Sequence, residues 1–150
     1  MIVTPHFLVG VAIASQMPEA GPAVMAAVTS HFILDFIPHT DLLFAKKYLK
    51  WANIEPKLFD IALGIILFVL FVLPMHRGYY FLIGLMAMLP DILEIPEIFW
   101  PKLYRVPLIK EFHRWHVKIL QSRNERVSLF WALLPQILVV IAMIYIIGFR

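Results

Sequence analysis

The chain has 150 residues, of which 61% are hydrophobic and only 15% charged, with a formal net charge of +3 and no cysteine. Soluble domains carry about 45–50% apolar and about 25% charged residues, so this composition, with its apolar residues in long blocks, excludes a soluble enzyme, a secreted scaffold and a disordered tail. The lack of cysteine excludes disulfides, thiolate metal sites and cysteine nucleophiles, and leaves His, Asp, Glu, Ser and backbone groups for any chemistry.

Taken in chain order, the start Met1-Ile2-Val3-Thr4-Pro5-His6 has no basic region and no small-residue cleavage pattern after its first apolar run, and reads as mature sequence. Apolar runs then cover Pro5–Met17, Ala20–Ile37, Leu58–Pro74, Tyr79–Trp100 and Val127–Phe149. Against the roughly 20 residues that a helix needs to cross the hydrocarbon layer, they predict about five membrane segments in a single domain over residues 1–150. The fold class is therefore all-α, a polytopic membrane helix bundle. The first run is short for a crossing and reads as a tilted span, a half-span or a re-entrant helix.

Lys46, Lys47, Lys50 and Lys57 load one loop, and Lys102, Arg105, Lys110, Arg114, Lys118, Arg123 and Arg126 load another. If the first segment crosses, both loops lie on one side, with Arg77 and Arg150 on the other. The positive-inside rule makes the loaded side cytoplasmic, so the amino terminus of this cell-membrane protein is predicted inside. Basic residues in short segments beside apolar spans point to membrane orientation, and no nucleic-acid partner is expected. Within the second loop, Leu108, Ile109, Phe112, Trp115, His116, Ile119 and Leu120 recur at three- and four-residue steps, with Lys110, Arg114 and Lys118 opposite. This pattern predicts a basic amphipathic helix lying in the interface, Phe112 and Trp115 entering the lipid and the cations meeting anionic headgroups.

The informative residues are the ionisable ones within or at the ends of the apolar runs: His6, His31, Asp35, His39, Asp41, Asp60, Asp91 and Glu94. A charge at mid-membrane costs on the order of 3 kcal/mol, so such residues face a protein interior, where they pair or bind something. The predicted topology brings all eight to the cytoplasmic side. His31 and Asp35 are four apart and share a helical face, which lets an imidazole and a carboxylate ligate one cation. His39 continues that face, and Pro38 ends or kinks the helix so that His39 and Asp41 can turn back toward the same centre. Two histidines and two carboxylates form a hard-to-borderline set suited to a divalent metal, zinc first and manganese or iron next. Asp91 follows Pro90 and precedes Glu94 by three, placing two carboxylates on one face of a helix that starts or bends at the proline.

Each of these residues also has a plainer role. His31 and Asp35 could form a buried pair that tethers helices. His6, after Thr4-Pro5, suits a helix start, and Asp60 or Asp91 a first-turn carboxylate. Glu97 beside Pro96 reads as structural; His113 and His116, three apart, admit shared ligation but read first as ordinary residues of the basic helix.

The elements Thr4-Pro5-His6 with Gly10, Ser30-His31-x-x-Leu34-Asp35-x-x-Pro38-His39-x-Asp41 and Leu89-Pro90-Asp91 resemble the bacterial and archaeal membrane-bound metal-dependent hydrolase-like proteins, and more distantly zinc-dependent phospholipase C. The resemblance covers roughly residues 1–45 and 84–95, and implies that His6, His31, Asp35 and Asp91 occupy metal-binding positions. The family's Pro-Asp-x-Asp-His element stands here as Pro90-Asp91-Ile92-Leu93-Glu94, and its His-Arg-Gly-x-Thr-His-Ser element as His113-Arg114-Trp115-His116.

The leading functional expectation is a membrane-embedded metal-dependent hydrolase acting on a lipid phosphoester at the cytoplasmic leaflet. His6, His31, Asp35, His39 and Asp91 would be metal ligands, and Glu94 or Asp41 the general base. The sequence has no Gly-x-Ser-x-Gly elbow, no His-Glu-x-x-His and no Gly-rich phosphate loop. The alternative is a non-catalytic membrane protein whose cluster binds metal or protons for transport or structure. The outer half of the predicted bundle holds few polar residues, which disfavours a path through the membrane. No interface motif sets an oligomeric state.

Overall fold

A computed structural model describes residues 3–37, 39, 62–72, 78–93, 102, 105–116 and 128–148, which fold as helices with no strand among them. Helix α1 (Val3–Gln16) carries Pro5 in its first turn, where the amide that proline lacks has no intrahelical partner anyway. A three-residue link containing Pro18 leads to α2 (Ala20–Phe36). Helix α2 stops because Ile37 precedes Pro38, whose ring disfavours the helical conformation there; Ile37 is extended, at φ −74° and ψ 129°. Residues 62–67 are helical and continue into the π-helical turn Phe68–Val72, together α3. Then come α4 (Gly78–Ala87), α5 (Leu89–Ile92), α6 (Pro107–Trp115) and α7 (Leu129–Gly148).

Helix α1 is the centre of the packing and lies against α2, α4 and α7, while α2 also packs on α4 and α5. Ten of its fourteen residues are buried, as an apolar helix without a polar face requires. The core joins Phe7, Leu8 and Val11 of α1 with Ala23 and Ala27 of α2, Tyr80, Ile83 and Ala87 of α4, and Ile147 of α7. Small residues let these backbones close up. A Cβ added at Gly10 would lie 2.6 Å from the Ile83 carbonyl oxygen and 2.8 Å from the Gly84 Cα, so α1 and α4 meet backbone to backbone. The Tyr79 hydroxyl donates to the Met17 carbonyl at 2.7 Å and ties the start of α4 to the end of α1.

The apolar run Tyr79–Trp100, where Pro90 predicts that a helix starts or bends, is interrupted there. Helix α4 ends at Ala87, Met88 forms a turn, and α5 restarts at Leu89. Pro90 has no amide to give, and the Met88 amide instead reaches back three residues to the Leu85 carbonyl at 3.0 Å. Among the described helices, only α7 is long and apolar enough to cross a membrane; α1 and α2 have 14 and 17 residues, about 21 and 26 Å at 1.5 Å per residue. Only 17% of the most apolar stretch of α7 is buried, and Phe130, Trp131, Ile137, Leu138, Ile141 and Tyr145 lie exposed along it. Met25, Ile33 and Phe36 of α2 are exposed as well.

Candidate metal centre

The end of α2 supplies the centre. One turn apart on a helix, His31 and Asp35 project from the same face, and both are buried. The His31 Nε2 lies 3.3 Å from Asp35 Oδ2 and 3.5 Å from Asp91 Oδ1, the latter carried by the short helix α5. His116, directly after α6, brings its Nε2 to 3.1 Å from Asp35 Oδ2 and 3.3 Å from the His31 Nε2. These four residues offer one ligand atom each, all within 4.8 Å of one another.

Nitrogen and oxygen ligands about 2.0–2.2 Å from a zinc ion, at the corners of a tetrahedron, stand roughly 3.3–3.6 Å apart. Four of the six separations, at 3.1–3.5 Å, approximate edges of that figure, and the other two are no longer than 4.8 Å. The donor set, two imidazoles and two carboxylates without sulfur, fits zinc, manganese or iron(II).

Hydrogen bonding determines which nitrogen faces the centre. A carbonyl only accepts, so His31 Nδ1–H donates to the Ala87 carbonyl at 2.9 Å, a group brought into place by the break between α4 and α5. With Nδ1 donating, the His31 Nε2 faces two carboxylate oxygens, either as a lone pair that a cation would join to them or as an N–H that donates to them. His39 is held alike: Nδ1–H donates to the Ile37 carbonyl at 2.7 Å, and Nε2 points inward, 3.8 Å from Asp35 Oδ1. Burial lowers the His39 pKa to about 4, so this imidazole is neutral at physiological pH.

From α1, His6 stacks on His31 with ring centroids 4.1 Å apart and places its Nε2 3.2 Å from Asp35 Oδ1. The remaining walls are aromatic. Phe32 meets the Trp115 ring edge-on at 5.2 Å and lies 5.9 Å from the His116 ring, docking the end of α6 onto α2. Asp35 and the four histidines are at most 1% exposed, whereas the Asp91 side chain is 16% exposed, so the centre meets its surroundings at Asp91.

The structure thus brings together His6, His31, Asp35, His39 and Asp91, the residues expected as ligands, His31, Asp35 and His39 from their spacing and His6 from the resemblance. Asp41 and Glu94, the expected bases, lie outside the described residues, as do Asp60 and Glu97. One expectation needs correction: His116 belongs to the centre and is not an ordinary residue of a surface helix. Trp115 packs its ring on Phe32 and stays exposed. The amphipathic pattern could not reveal the role of His116, because that role depends on a contact 81 residues away along the chain; the three-residue spacing of His113 and His116 and the partial His113-Arg114-Trp115-His116 motif were the available signals. The rest of α6 has no buried residue, and Leu108 is 81% exposed.

Comparisons of the chain with protein-family models, with curated proteins and with solved structures find no match.

Proposed function

We propose that this chain is a polytopic membrane protein whose His/Asp centre holds a divalent metal ion and hydrolyses a phosphoester of a lipid at the cytoplasmic leaflet. The observation that carries this reading is the set His31, Asp35, Asp91 and His116, with one ligand atom from each within 4.8 Å of the others, three of the residues buried and Asp91 partly exposed. Membrane embedding is supported by the exposed apolar surface of α2 and α7, and the cytoplasmic placement by eleven Lys and Arg residues in two loops against two elsewhere.

A divalent ion at this position supplies Lewis acidity, lowering the pKa of a coordinated water and polarising the scissile group. The chain's own residues do the rest. His31 and His116 would present their Nε2 atoms to the ion, Asp35 and Asp91 would balance its charge, and the Ala87 carbonyl, accepting from His31 Nδ1, orients that ring. Asp91 stands where a substrate phosphoryl group would enter. Glu94, three residues further along the chain, or Asp41 is the proposed base that accepts the proton of the attacking water. Lys110 and Arg114, exposed on α6, would attract anionic headgroups toward that opening. The resemblance to membrane-bound metal-dependent hydrolase-like proteins points the same way.

The test is metal content and lipid turnover of protein purified in mild detergent without a histidine tag. At least one zinc, manganese or iron ion per chain, lost in His31→Ala and Asp35→Ala, together with metal-dependent phosphate or phosphoalcohol release from mixed phospholipid micelles, is the expected result. Stoichiometric metal without turnover of any phospholipid would leave the non-catalytic metal site as the better reading. Wild-type protein that stays metal-free after reconstitution would overturn both.

A further inference from the structure

Helix α6 has the make-up of a surface helix and yet delivers a residue to the centre. Helical spacing sets Leu108, Phe112 and Trp115 along one side and Lys110 and Arg114 along the other. Folding leaves the apolar side uncovered. No residue of α6 is buried, Leu108 is 81% exposed, and Val106 just before the helix and Trp115 at its end are exposed as well. The last turn is where that side meets the bundle: the Trp115 ring lies edge-on against Phe32, and His116, one residue further, is buried with its Nε2 3.1 Å from Asp35 Oδ2.

Two observations identify what the free part of the helix is suited to rest on. Residues 102–116 carry four cations, Lys102, Arg105, Lys110 and Arg114, against the single carboxylate of Glu111, a balance that complements an anionic surface. The docking point, Phe32, has the exposed apolar side chains of Ile33 and Phe36 beside it on the last two turns of α2, so lipid-compatible surface begins next to the attachment of α6. The headgroup layer of an anionic bilayer meets both: Val106 and Leu108 would gain burial at the acyl boundary, Trp115 would lie at the depth that tryptophan favours, and the cations would meet the phosphates.

Resting on the reading of the centre as a metal site in a membrane protein, we infer that seating of α6 on an anionic bilayer completes the metal centre, because the helix that the lipid holds is the one that delivers His116. With α6 seated, His116 joins His31, Asp35 and Asp91; with α6 released, three ligands remain. Such coupling is reciprocal, so the metal-loaded protein would also hold its interfacial helix on the bilayer more tightly. The centre would thus be fully assembled only where anionic lipid is at hand.

The experiment is zinc affinity of the full-length, untagged protein in nanodiscs, one set of phosphatidylcholine alone and one of phosphatidylcholine with phosphatidylglycerol, by competition with a fluorescent chelator. A charged bilayer concentrates cations by itself, so His116→Ala, which keeps α6 but lacks its ligand, supplies the baseline ratio of affinities between the two discs. The wild-type ratio is expected to exceed this baseline about 5-fold or more, the lower end of ordinary coupling between two sites. Leu108→Asp and Lys110→Glu should each bring the ratio down to the baseline while one equivalent of zinc still binds at saturation, which shows that the variant has folded. Lys110→Glu, on the exposed polar side, carries the test should Leu108→Asp fail to fold. A wild-type ratio equal to that of His116→Ala, or one that neither α6 substitution lowers, overturns the coupling and leaves the metal centre standing. A wild type that takes up no zinc in either disc overturns the centre and the coupling together.

Discussion

Asp35 stands between four imidazoles, and each approaches from a different part of the fold or a different turn of it. A buried carboxylate so surrounded has its charge compensated only while the neighbours stay in place, so residues that position them matter as much as ligands. Phe32 is such a positioning residue, because its ring contacts Trp115 and both the His31 and His116 rings, at 5.2, 5.5 and 5.9 Å. Phe32→Ala is expected to weaken metal affinity roughly 10–100-fold, the usual cost of losing an outer-shell support, while metal still binds. Competitive titration against a fluorescent chelator measures this. His116→Ala, which removes a ligand, should exceed that loss, and equal retention by His116→Ala and wild type would remove His116 from the centre.

At the scale of elements, the junction of α1 and α4 determines whether His6 can reach Asp35. Gly10 leaves no room for a side chain, since a Cβ would press on the Ile83 carbonyl and the Gly84 backbone. Gly10→Ala is therefore expected to destabilise the protein by about 1–3 kcal/mol through overpacking, and to displace α1 and with it His6. Gly21, near the start of α2, has nothing within 4 Å of the corresponding position. Gly21→Ala should leave stability unchanged or raise it by about 0.4–1 kcal/mol, because alanine restricts the unfolded chain without meeting a neighbour. Thermal denaturation of the two variants side by side in detergent separates the contact from the general effect of replacing glycine. Helix α5 makes a related point: Pro90 breaks the run begun at Gly78, and the break places Asp91 and the Ala87 carbonyl on either side of His31.

For the whole molecule, a ligand that binds only the folded state stabilises it by mass action, by about 2.7 kcal/mol at a hundred times the dissociation constant. Chelation is therefore expected to lower the melting temperature of the wild type and re-addition of zinc or manganese to restore it, with no response in Asp35→Ala. The lack of cysteine makes the predicted topology directly testable. A single cysteine at the exposed Glu111 of α6 should react with a membrane-impermeant maleimide in inside-out vesicles and not in intact cells. Labelling from the outside would invert the proposed orientation and move the centre to the other leaflet.

Much of the centre is legible in the sequence because ionisable residues are conspicuous among apolar ones. His31 and Asp35 lie on one helical face by spacing alone, Pro38 ends α2 as expected, and the all-helical character follows from apolar runs without period-two alternation. Local rules of this kind act over a few residues, and a sequence carries them openly. What only the tertiary structure decides is partnership: that α1 lies at the centre of the packing, that His116 closes the site from the end of α6, and that Asp35 shares its two oxygens between two pairs of histidines. Those facts depend on which surfaces meet when helices distant in the chain pack together, and helical periodicity within one segment holds no record of the segment it will touch.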